Sequence, residues 1–407
     1  MKHILPLLAL TALPAAAEVN TETVTTLSEP AQTEEFASDE QLEEGFITHY
    51  VNRAVASGMK KIDDAEEMKY GRNITDYVTP PKFGGYFIGK YAYTDKDGAH
   101  SGTGFSQRLI RFYVDGRILK DFAYRIQVQT NNSSFHMKDF FVEWQKYKEL
   151  RIKAGQYKRA FGFENPMNPW DVGVGDYSQL TQKLTGYNDY IGAETTSNGG
   201  RDQGIQLQGD LFPVAKDGHR LLHYQVMVAN GQGINSSDAD SRKDVLGTLQ
   251  VQPVKGLFIG VFGWTGSFTA NGVTVDRNRY LIGAKYDHND WTLRAEYAHS
   301  SGHKISDYKK NDDGTYTVSG RGRADAWYAT VGVPCTSWLK TYVKYDVYRD
   351  DASWNTTKSI YSLCPNFQLH KNLMFQVQYN YVHDRTLSAN GQKTNYSELW
   401  AEAYVRF

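Results

Sequence analysis

Glu398-Leu-Trp-Ala-Glu-Ala-Tyr-Val-Arg-Phe407 (ELWAEAYVRF) is the stretch whose reading decides the fold. Successive side chains of a strand point to opposite faces, so Leu399, Ala401, Ala403, Val405 and Phe407 share one face. Glu398, Trp400, Glu402, Tyr404 and Arg406 take the other. One wholly apolar face and one charged face suit a wall that separates hydrocarbon from water.

The same alternation recurs upstream. Ile110, Phe112 and Val114 oppose Arg111, Tyr113 and Asp115, and Tyr124, Ile126 and Val128 oppose Arg125, Gln127 and Gln129. From Phe83 onward the period is two, and sixteen such segments run from 83–93 to 396–407. Their links alternate between short ones, such as 118–120, 288–290 and 368–371, and longer ones, such as 94–104, 231–242 and 302–321. Short turns on one rim and long loops on the other are what a barrel with both ends on the short-turn side requires. A soluble sandwich has edges to protect, whereas an even strand number permits closure. The expected fold is therefore all-β, a sixteen-stranded antiparallel transmembrane β-barrel with a short helical and disordered amino-terminal extension.

Composition agrees with that reading. Aromatic residues make up 14% of the chain, 28 of them tyrosine, a ring suited to a membrane interface. The 40% hydrophobic content contains no apolar run of helical spanning length, and a membrane strand needs only about 9–11 residues. A net charge of −1 points away from nucleic acid as a partner. Cys335 and Cys364 fall two strands apart, an awkward geometry for a bridge.

The amino-terminal part divides in two. Residues 1–17, with Lys2, an apolar run and then Ala15, Ala16 and Ala17, have the pattern of a cleaved secretory signal. Residues 18–80 begin with nine acidic and no basic side chains up to Glu44, then continue with apolar residues at helical spacing from Leu42 to Ile62. Ser38 and Gln41 supply a capping box. This extension is expected in the periplasm, as a tether against the barrel or as a partial plug. The barrel itself occupies 81–407.

The longest link, 160–200, is expected to fold into the barrel and narrow it, because loops of this length in compact domains are usually functional. Phe161, Phe163, Trp170, Tyr177, Lys183 and Tyr187 are its candidate constriction residues. The alternative is an external loop packed on a neighbouring subunit.

Strand parity also gives a lumen. The inward basic residues are Arg111, Arg125, Arg151, Lys153, Arg159, Arg279, Lys285, Arg294, Lys340 and Lys344. Fixed positive charge along a pore lowers the barrier for anions. Inward carboxylates (Asp115, Asp139, Glu143, Asp287, Glu296, Asp346, Glu398 and Glu402) nearly balance them, and the long link adds Glu164, Asp171, Asp176, Asp189 and Glu194 against Lys183.

Several stretches together resemble the phosphate-selective porin O and P family. They are RLIRFYVDGR (108–117), KDFAYRIQ (120–127), DFFVEW (139–144), IKAGQYKRAFGFEN (152–165) and RDQGIQLQG (201–209), with Ala229, Asn230 and Gly231 after them. The terminal Phe407 likewise resembles the carboxy-terminal signal of outer-membrane barrels. The resemblance covers most of 83–407. It implies an outer-membrane porin, commonly a homotrimer, with a constricting third external loop and basic side chains that guide phosphate or similar oxyanions.

Other chemistries find little support. The sequence has no G-x-S-x-G, H-E-x-x-H or phosphate-cradling P-loop motif, so neither an enzyme nor a cofactor is expected. His299 and His303 stand where a strand meets a loop, where the four-residue spacing of helical metal ligands does not apply. Asp238, Asp240 and Asp244 read as a solvated turn or, less simply, as a calcium loop. The expected function is passive diffusion of small hydrophilic solutes, with anions favoured. A non-selective pore and a plugged barrel that displays loops to partners are the alternatives.

Overall fold

The computed structural model describes residues 46–70, 77–99, 103–131, 134–186, 199–270, 272–302, 308–318 and 322–407. A helix, α1 (Phe46–Tyr70), comes first. It is followed by β1 (Lys82–Thr94), β2 (Gly104–Ile118), β3 (Phe122–Asn131), β4 (Ser134–Trp144) and β5 (Arg151–Lys158). A short helix, α2 (Gln179–Leu184), precedes β6 (Arg201–Pro213), β7 (Arg220–Ala229), β8 (Asp244–Val254), β9 (Leu257–Ala270), β10 (Val273–His288) and β11 (Trp291–Gly302). The remainder are β12 (Tyr308–Lys310), β13 (Tyr316–Val318), β14 (Gly322–Pro334), β15 (Leu339–Asp350), β16 (Thr357–His370), β17 (Leu373–Asp384) and β18 (Asn395–Arg406).

All but β12 and β13 form one closed antiparallel barrel of sixteen strands. The ring closes where β1 pairs with β18, from Tyr86–Arg406 to Thr94–Glu398. Closure removes both edges and pairs the backbone of every wall strand. The expected strands are present, with one extension. β9 and β10 continue beyond 266 and begin before 277, meeting at Ala270 and Val273. Asn271-Gly272 is a two-residue hairpin signal, and Phe268 and Val275 are buried beside Val318 of β13.

The wall has the polarity that the alternation requires. Arg111, Tyr113, Arg125 and Gln127 are buried inside, while Phe112 and Ile126 between them are exposed. On β18, Glu402 and Tyr404 are buried and Leu399 and Val405 exposed. Aromatic rings mark two heights on the outer surface. Tyr345, Tyr361 and Tyr381 run side by side at 4.9 and 6.3 Å on the long-loop half, and Trp338, Phe367 and Phe375 at 6.1 and 6.4 Å near the short turns.

Helix α1 runs further than its expected end at Ile62, and the proposed cap at Ser38 and Gln41 lies outside the described residues. Met59 is buried, and Asn52 meets the start of β1. β18 pairs with β1 as far as the Gly85–Phe407 exchange. One step further, the Phe83 N–H donates to Asn52 Oδ1 at 2.7 Å and its carbonyl accepts from Nδ2 at 3.5 Å. The helix thus completes the ladder where its neighbouring strand has stopped. Both cysteines are free thiols: Cys335 is exposed in a short turn and Cys364 is buried inside on β16.

An apolar exterior makes charge costly on one parity only. Leu363, 50% exposed on the outer face of β16, should cost about 2–4 kcal/mol of stability when changed to lysine. Guanidinium titration of the barrel in lipid vesicles measures this, and Ser362→Lys on the inner face should cost clearly less.

The barrel interior as candidate functional site

After β5 the chain turns inward. Residues 159–186 lie inside the barrel, and 187–198, with Tyr187, Asp189, Tyr190 and Glu194, lie outside the described residues. Arg159 starts the excursion in a buried pair with Asp202 at 2.8 Å, and Thr248 of β8 donates to the Ala160 carbonyl at 2.7 Å. Phe161 meets Trp264 edge-on at 5.6 Å, and Phe163 meets Phe262 at 5.2 Å. Trp170 packs edge-on against Tyr404 at 5.5 Å beneath the Arg406 guanidinium. All four rings assigned to constriction and described here (Phe161, Phe163, Trp170 and Tyr177) are buried, and Lys183 is half-buried with its Nζ 5.6 Å from the Tyr348 ring.

An irregular segment inside a barrel must satisfy its amides without a ladder. Here the wall supplies acceptors. Glu296 of β11 accepts from the Phe163 N–H at 2.6 Å, the Glu164 N–H at 3.3 Å and the Tyr328 hydroxyl at 2.6 Å. Gln378 of β17 accepts from the Gly175 N–H at 2.5 Å, and Asp346 of β15 from the Gln179 N–H at 2.9 Å. Glu164 accepts from both the N–H and the hydroxyl of Ser178, whose Oγ caps α2 by accepting from the Thr181 N–H at 3.1 Å. Gly173 has a φ of +86°, and a Cβ there would lie 2.4 Å from the Tyr342 ring, so only glycine fits.

These contacts place the segment against β9–β18 and leave a cavity of about 390 Å³ bordered by β2–β10. Arg111, Arg125, Lys153, Lys158, Arg159, Arg201, Lys255 and Lys285 border it, against three carboxylates, Asp139, Asp210 and Asp287. Six glutamines (Gln127, Gln206, Gln208, Gln225, Gln250 and Gln252) and the rings of Phe141, Tyr157, Phe163, Tyr224 and Phe258 complete the lining. Asp210 is engaged by Arg151 at 2.9 Å and His223 at 2.7 Å, and Asp139 by Arg201 at 2.6 Å. Arg111 donates to the neutral oxygens of Asn168 and Gln129 and makes no ion pair among the described residues.

Five of the ten basic residues read from strand parity border this cavity: Arg111, Arg125, Lys153, Arg159 and Lys285. The other five are buried or half-buried inside the barrel with other partners, which corrects the picture of a single stripe. Arg279 donates to the Leu184 carbonyl at 3.0 Å, Arg294 to the Val172 carbonyl at 2.7 Å and Lys344 to the Asp176 carbonyl at 3.2 Å. These three hold the inserted segment, whose carbonyls need donors. Arg151 pairs with Asp210, and Lys340 donates to Thr292 at 2.9 Å. Lys158, Arg201 and Lys255 were missed, because they stand at strand ends or in a turn where parity gives no side.

The acids of the inserted segment do not border the cavity. Glu164 serves Ser178, Asp171 lies 3.4 Å from Arg406 and Asp176 lies 3.5 Å from Arg108. The three aspartates weighed for calcium also separate. Asp244 is buried and accepts from Trp264, Ser267 and Arg277, while Asp238 pairs with Lys243 and Asp240 accepts from Ser267 and Thr269. Among the described residues no three candidate ligands converge. His299 stacks on Tyr280 at 5.4 Å, and His303 lies outside the described residues.

No family model matches the sequence and no curated protein matches it, so the resemblance to the phosphate-selective porins rests on the stretches quoted above. Solved structures do match the fold. The barrel is similar to an anion-selective porin from Comamonas acidovorans at 13% identity and a TM-score of 0.56, covering 81% of this chain and all of that one. It is similar to OmpF of Salmonella typhi at 14% identity and 0.55, covering 80% and 97%. The trimer form of OmpT, an outer-membrane protein of Vibrio cholerae, matches at 11% identity and 0.54, covering 82% and all of that chain. The chain has the sixteen-stranded barrel fold of these outer-membrane proteins.

Proposed function

We propose that this chain is an outer-membrane diffusion channel for small hydrophilic solutes and that it favours anions. The observation that carries the reading is the lining of the cavity, where eight basic side chains face three carboxylates although the chain as a whole has a net charge of −1. Fixed cations in a low-dielectric wall replace part of the hydration that an entering anion loses. Oxyanions such as phosphate and carboxylates suit the donors present, as the resemblance to phosphate-selective porins implies. In this reading residues 1–17 direct export, α1 and the short turns face the periplasm, and the inserted segment sets the passage against β2–β10. A homotrimer in the outer membrane follows from the same resemblance and accords with the trimeric form of the similar Vibrio protein.

Planar bilayers test the reading directly. In a salt gradient the reversal potential should have the sign of anion flux, and Arg111→Gln with Lys153→Gln should shift it severalfold toward the cation limit. A non-selective current would leave a general pore, and no current from a folded barrel would favour a plugged barrel that displays loops. The anchoring of the inserted segment is testable by the same measurement. Glu296→Ala leaves two amides and a phenol without their acceptor, a loss of about 1–3 kcal/mol of local stability, so its single-channel conductance should rise and become noisier.

A further inference from the structure

We infer that the cavity is built to take aromatic carboxylates in preference to inorganic oxyanions. The inference rests on the anion-channel reading above and narrows it to a solute class. Two ammonium groups of the lining are seated on rings of the same lining. Lys285 Nζ lies 4.6 Å from the Phe258 ring centre and 5.7 Å from that of Phe163. Lys153 Nζ lies 4.9 Å from Phe141 and 5.4 Å from Tyr157, with Glu143 at 3.6 Å.

A ring face holds a cation through its quadrupole without neutralising it, so the charge stays available to a passing anion. The guanidinium forks are differently placed. Arg125 engages Asp115 through two nitrogens at 2.8 and 2.9 Å, and Arg201 engages Asp139 in the same way at 2.6 and 3.0 Å. Arg159 closes both Nε and Nη2 on Asp202 at 3.2 and 2.8 Å. Forks of this kind recognise tetrahedral phosphate, and these three already hold carboxylates.

A solute with a carboxylate beside a flat apolar body matches what remains. Its charge can meet Lys285, and its ring can lie along Phe258, which is only partly buried and has the His223 ring at 5.2 Å. The Gln250 and Gln252 side chains border the same space, and amide donors of this kind suit a second carboxylate oxygen. The volume of about 390 Å³ admits a single-ring acid. Acetate would gain only the charge contact, and phosphate would need the forks.

The experiment is block of the chloride current through the full-length protein in planar bilayers, with benzoate, acetate and inorganic phosphate added in turn. Benzoate should halve the current at a concentration about tenfold below that of acetate or phosphate, the factor one aromatic contact supplies. Phe258→Leu should raise the benzoate concentration needed by about fivefold and move that for acetate by less than about twofold. Phe258→Tyr, which keeps the ring, should retain the benzoate block and guards against a leucine variant that fails to fold. Equal block by benzoate and acetate in an anion-preferring channel would overturn the inference and leave the channel reading standing. Phosphate as the strongest blocker would overturn it too, in favour of an inorganic oxyanion, and a channel without anion preference would remove the underlying reading itself.

Discussion

The pairing of β1 with β18 is the constraint from which the rest of this structure follows. A wall with hydrocarbon on its outer side can leave no backbone group unpaired, so the sheet has to close. Closure at sixteen strands fixes a circumference whose interior the inward side chains alone do not fill. The segment 159–186 enters that space, and its amides face the same demand as a strand edge would. Side chains of the wall meet it, from Glu296 on one flank to Gln378 on the other. Asn52 of α1 answers the same demand at Phe83.

This choice of partners divides the charge of the interior. On the half covered by the inserted segment, carboxylates accept its amides, and Arg279, Arg294 and Lys344 donate to its carbonyls. On the other half, Asp115, Asp139 and Asp210 are matched laterally to arginines on neighbouring strands. Arg111, Lys153 and Lys285 then face the cavity in addition to those pairs. An interior with nearly equal numbers of acids and bases is therefore polarised by where a neutral backbone segment lies.

Which residues face inward was legible in the sequence, because a strand offers only two sides and one of them must be apolar. Arg125 and Ile126, or Glu402 and Leu399, can be assigned from parity alone. The hairpin at Asn271-Gly272 was legible in principle, since the turn signal stands between Thr269 and Thr274. What each inward charge meets was not legible. Arg294 and Lys285 are equivalent by parity and are register partners on adjacent strands. Yet Arg294 is buried on Val172 of the inserted segment and Lys285 borders the cavity. That difference depends on the path of a segment more than a hundred residues away, held by contacts that no local pattern encodes. Asp244 makes the same point, since its spacing from Asp238 and Asp240 suggests a shared turn while Trp264 and Arg277 draw it into the wall.

The way the free cations are held bears on throughput. A channel must attract its solute strongly enough to admit it and weakly enough to release it. A bidentate guanidinium facing a phosphate in a low-dielectric site gives strong, geometrically matched binding, which slows departure. An ammonium resting on rings contributes on the order of 1 kcal/mol to its own placement and presents a single charge to the solute. Here the forks of Arg125, Arg159 and Arg201 are spent on the wall, and the ring-seated Lys153 and Lys285 face the space. The arrangement separates rigidity from contact: the strong pairs set the shape of the passage, and the weakly held charges meet what moves through it.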